Sequence, residues 1–102
     1  MFDADAERYA TLGLAAKLPS PVIDGIWDII DDDLQGVVRL PRVLQFALIS
    51  RAGNVTVVFD DHNDSIFEFD LPEDYQRSFP ETIAVLDDGQ YQTMMLMDEL
   101  SV

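Results

Sequence analysis

The hydrophobic period changes once along this chain, and that change limits the folds open to it. Val22, Ile23, Ile26, Trp27, Ile29, Ile30 and Leu34 recur at spacings of three and four, which makes one apolar stripe on an amphipathic helix. Ser20 is the expected N-cap, with Pro21 at the first helical position, where its missing N–H costs nothing. From Val43 onward the period is two. Leu44, Phe46 and Leu48 alternate with Gln45 and Ala47, the turn Arg51-Ala52-Gly53-Asn54 follows, and Val55, Val57 and Phe59 complete a hairpin. A second turn spans residues 60–64, and Phe67, Phe69 and Leu71 form a third strand opposite Glu68 and Asp70. Residues 82–86 make a further strand ending in Asp87-Asp88-Gly89, and residues 8–14 a short first strand ending near Gly13. Pro72 and Pro80 bracket an irregular connection, and residues 91–97 fit a last strand or a helical turn equally well. The expected architecture is α+β: one amphipathic helix packed on an antiparallel sheet of about four to five strands. Glu68 and Asp70 make the far face of that sheet at least partly wet.

With 102 residues the chain is too short for two cores, so residues 1–102 are expected to form a single domain. Its 48% hydrophobic content is too high for a disordered chain. The absence of cysteine removes disulfides, thiolate nucleophiles and cysteine-based zinc sites, leaving packing to hold the fold. No apolar run approaches the roughly twenty residues that span a bilayer, and Met1-Phe2-Asp3-Ala4-Asp5 is acidic where a signal peptide is basic. The expected location is cytoplasmic. Twenty Asp and Glu against six Lys and Arg give a net charge of −14, which repels nucleic acid and anionic lipid. Direct nucleic-acid or membrane binding is therefore not expected, whereas basic proteins are attracted with enhanced on-rates.

Part of this charge falls in one place. Asp24, Asp28 and Asp31 or Asp32 stand at spacings of three and four on the helix side opposite Trp27. A charged face is ordinarily only a solvated one. Here no Lys or Arg is interspersed, and Asp31-Asp32-Asp33 puts negative charge at the negative end of the helix dipole. Aspartate is also a poor interior residue of a helix. Residues that break local rules without visible gain are candidates for function, so Asp24, Asp28, Asp31, Asp32 and Asp33, joined by Asp87 and Asp88, are the expected partner-binding residues.

The turn Asp60-Asp61-His62-Asn63-Asp64 holds the only histidine. Alternate oxygen ligands can be drawn through it, but it lacks the glycine and the closing bidentate glutamate of a calcium loop. A divalent metal held by His62 with Asp60, Asp61 or Asp64 is the alternative cofactor reading; otherwise no cofactor is expected. Catalysis has little support. Any Ser or Thr nucleophile would need His62, the carboxylates are too many for a pair to be diagnostic, and the five glycines are isolated. An enzyme is not expected.

The segments Arg8-Tyr9-Ala10-Thr11-Leu12-Gly13, Trp27, Ile30-Asp31 and Asp87-Asp88-Gly89-Gln90-Tyr91-Gln92-Thr93-Met94 resemble a small family catalogued as a staphylococcal domain of unknown function. It occurs in Gram-positive bacteria, their phages and cassette elements. The resemblance covers both ends, roughly half of the chain, and the turn 60–64 has no counterpart in it. It implies a mobile-element context, in which small acidic proteins counter host defence or repair, some by mimicking DNA. Uracil-DNA glycosylase inhibitors and some anti-CRISPR proteins are acidic and similar in size. The expectation is an inhibitor of a basic nucleic-acid-binding enzyme of the host, such as a CRISPR nuclease or a DNA-repair enzyme; the alternatives are a metal-binding module built on the turn 60–64 and a housekeeping interaction protein whose acidity serves solubility alone. Trp27 and Tyr9 are implied core anchors, Gly89 a turn position, and Asp87 and Asp88 a surface feature at a strand end.

Overall fold

A computed structural model describes residues 2–61 and 65–100. Six strands form one sheet: β1 (Glu7–Ala10), β2 (Val43–Arg51), β3 (Asn54–Asp60), β4 (Ile66–Asp74), β5 (Thr82–Asp87) and β6 (Tyr91–Leu96). Their spatial order is β1-β6-β5-β2-β3-β4. The α+β class holds, but the sheet has six strands rather than four to five, and it is mixed, because β1 runs parallel to β6 with Arg8 opposite Gln92. The extra strand is the segment whose period was ambiguous. Residues 91–96 lie between β1 and β5, and both Met94 and Met95 are buried, so alternation by burial is erased there. The first strand ends at Ala10, earlier than expected. Thr11 caps a one-turn helix, α1 (Leu12–Ala15), its Oγ1 accepting from the Leu14 N–H at 3.1 Å.

The main helix, α2, spans Ser20–Asp28 and continues as a π-helical segment, Ile29–Leu34. Its N-cap is Pro19 rather than Ser20, and no side chain caps it. The π winding has a side-chain rationale. Continued as an α-helix at about 100° per residue, Asp33 would lie about 140° round from Asp28, among the buried Val22, Ile26 and Ile29. At the wider π turn, about 82° per residue, it comes round to about 70°. Asp33 is exposed, while Ile30 and Leu34 stay fully buried.

The sheet is curled around this helix. Laid flat at about 4.8 Å per strand, β1 and β4 would stand about 24 Å apart. Yet Gly25, against Leu71 of β4, and Asp31, against Arg8 of β1, are only about 9 Å apart along the helix. The concave face carries the core. Leu44, Phe46, Leu48, Val57, Ile83 and Val85 meet Ile26, Ile30 and Leu34 there, and Phe46, Phe59 and Phe67 form a tilted aromatic row across β2, β3 and β4. Among the described residues, no helix is long and apolar enough to cross a membrane.

Candidate functional site

Between α2 and the outer edge of β4 runs an open cleft of about 540 Å³. The helix contributes Asp24, Asp28, Asp32 and Asp33, and the strand contributes Glu68, Asp70 and Glu73. Ile29, Phe69 and Leu71 give it an apolar floor, and among the described residues no cation lines it. Gly25 sets its width, since a Cβ there would lie 3.1 Å from Leu71 Cδ1. Four of the five helix aspartates singled out by sequence thus line one wall of the cleft, opposite the edge of a strand more than thirty residues away, where Glu68 and Asp70 alternate with the helix-facing Phe69 and Leu71 and turn to the other side of the sheet. Glu68 and Asp70 are visible in sequence as a wet strand face; Glu73 carries no such signal.

The fifth helix aspartate, Asp31, faces elsewhere. Its two oxygens accept from Arg8 Nη1 at 2.8 Å and Nη2 at 2.6 Å, a bidentate pair with both side chains mostly buried. The same guanidinium sits 4.6 Å from the centroid of Trp27 and donates from Nε to Gln92 Oε1. Gln92, fully buried, donates in turn to the Asp3 carbonyl. Asp31 is therefore structural, correcting its expected place on the open acidic face. The cation it uses lies in β1, outside the helix that carries the aspartate. Trp27 is half-buried against the core, as expected of an anchor, but Tyr9 is 50% exposed and stacks edge-on against Tyr91.

Asp87 also departs from its expected surface role. It is 7% exposed, and its carboxylate accepts from the Phe2 N–H at 2.7 Å and the Gly89 N–H at 2.9 Å. Phe2 is fully buried, so Asp87 closes the N-terminal arm onto the core. Asp88 remains exposed and shapes the β5–β6 turn, accepting from Gln90 N and Tyr91 N, with Gly89 at a φ of +98. The bond from Tyr91 N, followed by that from Gln90 N, holds the Asp88 carboxyl below its ordinary range.

The cleft is only partly neutralised. Arg51 Nη2 lies 2.7 Å from Glu68 and Nη1 3.7 Å from Asp70, and Thr56 Oγ1 donates to Asp70 at 2.6 Å. Asp24, Asp28, Asp32, Asp33 and Glu73 have no ion pair among the described residues. Of the alternative metal turn, Asp60 and Asp61 are placed, Asp61 accepting from Ser65 N at 3.2 Å. His62 and Asp64 lie outside the described residues. Among the described residues, no group of three or more His, Asp or Glu is arranged to hold a metal.

The crystal structure of a protein of unknown function from Enterococcus faecalis is similar to this chain. It has 43% identity and a TM-score of 0.93, covering 99% of this chain and 96% of that one. No curated protein matches. The pattern of a family described as "Staphylococcal protein of unknown function (DUF960)" matches residues 7–99, spanning β1, the whole cleft and the Asp88 turn, and the chain belongs to that family.

Proposed function

We propose that the chain is an acidic protein-binding module whose cleft engages a basic, nucleic-acid-handling protein, as an inhibitor whose carboxylates occupy a surface built for phosphates. One contrast carries this reading. Carboxylates that the fold needs are supplied with partners: Asp31 has Arg8, and Asp87 has two backbone N–H groups. Those around the cleft are gathered from two elements and left largely uncompensated beside an apolar floor. Like charges gathered on one surface destabilise a compact state, so the arrangement has no stability rationale. Uncompensated charge rimming an apolar patch suits a partner of opposite sign, with the charge steering association and the apolar floor adding affinity.

Capture of partners from a bacterial lysate at low and moderate salt tests the proposal. It expects a basic nucleic-acid-handling protein to be retained, and to be lost from the variant Asp24→Asn/Asp28→Asn/Asp32→Asn. A partner set without any such protein would end the proposal.

A further inference from the structure

We propose that the partner is held through an extended, lysine- or arginine-bearing segment that adds to β4 as a seventh strand in this cleft. This rests on the protein-binding reading above and specifies how the partner is gripped.

β4 ends the sheet and, among the described residues, is paired on its β3 side alone. The outward N–H and C=O groups of an edge strand are a template for another chain. The cleft follows that edge. It is lined by six consecutive residues of the strand, 68 to 73, whereas a depression over one sheet face would touch every second residue. Six residues at about 3.3 Å give a length of about 20 Å. An extended segment laid along that edge can pair with its outward groups, whereas a helix, whose backbone bonds are internal, cannot.

Spacing and charge then select the occupant. Asp24 and Asp28 stand four α-helical residues apart, about 6 Å, and same-side residues of a strand repeat about every 6.6 Å, so cations two positions apart on an added strand face both. Asp32 follows within the wider π turn, at a shorter rise beyond Asp28. Pro72, which has no N–H, limits pairing to the residues before it. A second copy of this chain is a poor occupant, because β4 against β4 would bring two sets of Glu68, Asp70 and Glu73 together.

The probe is a capped eight-residue peptide alternating lysine and valine, titrated calorimetrically into the full chain at low salt. Two further versions carry N-methyl groups, one on the lysine amides and one on the valine amides. In an added strand, only one of these sets points at β4. The expected result is binding by the parent peptide, at least a tenfold loss for one methylated version, and a change within about threefold for the other. Equal effects of the two methylations, or no binding of the parent peptide, would overturn strand addition. If the methylations act equally but Asp24→Asn/Asp28→Asn/Asp32→Asn still weakens the parent peptide, charge alone holds it. The protein-binding reading then stands without the added strand; that reading fails separately, on the captured partners.

Discussion

At the residue scale, aspartates of this chain divide by what surrounds them rather than by where they fall in sequence. Asp31 is held by a mostly buried arginine, so removing its charge leaves a guanidinium short of a partner. Asp31→Asn is expected to lower stability by about 1–2 kcal/mol in urea unfolding. Asp24→Asn or Asp28→Asn is expected to leave it unchanged or raise it by a few tenths of a kcal/mol, as like-charge repulsion at helical spacing is relieved. Equal losses at all three would remove the distinction between structural and cleft aspartates. Two exposed carboxylates are held below their ordinary pKa values. Asp88 is held low by backbone bonds from Tyr91 and Gln90, and Glu99 by the Thr11 hydroxyl and then Leu96 N. A carboxyl whose folded pKa is depressed adds stability above its unfolded pKa, and that contribution is lost as pH falls through the folded value. NMR titration is expected to find both midpoints below their ordinary values of 3.8 and 4.5, and Thr11→Val to move only that of Glu99 upward.

At the element scale, the N-terminal arm and the π segment complete the fold. Phe2 is fully buried, and Gln35 and Gln92 donate to the Phe2 and Asp3 carbonyls. Phe2→Ala is expected to cost about 3–4 kcal/mol by the cavity it leaves; a loss below about 1 kcal/mol in urea unfolding would show the arm to be dispensable. This arm also marks the limit of what sequence discloses. The main helix, the β2–β3 hairpin and the row Asp24, Asp28, Asp32 follow from local period, because each depends on neighbours within a few residues. The burial of Asp87 depends on Phe2, 85 positions away, and the pairing of Asp31 on Arg8, 23 positions away. Both require the sheet to curl around the helix. The strand half of the cleft was legible only as a wet face, since nothing local says which helix lies beside that edge.

At the scale of the whole molecule, a net charge of −14 is a continuous load on the fold, concentrated where α2 meets β4. Added salt screens such repulsion within a Debye length of about 10 Å at 0.1 M. The melting temperature is expected to rise with sodium chloride, by about 4–8 °C for each 1 kcal/mol regained in a domain of this size. Asp24→Asn/Asp28→Asn/Asp32→Asn is expected to be less responsive to salt than the native chain. Partner binding should show the opposite trend, strongest at low salt, because the charge that strains the fold is the charge that attracts the partner. The central claim is therefore tested most directly by measuring the affinity of that triple variant for the captured basic partner alongside its unfolding free energy. The expected result is a variant at least as stable as the native chain that binds at least tenfold more weakly. A variant that folds equally well and binds with unchanged affinity would contradict it.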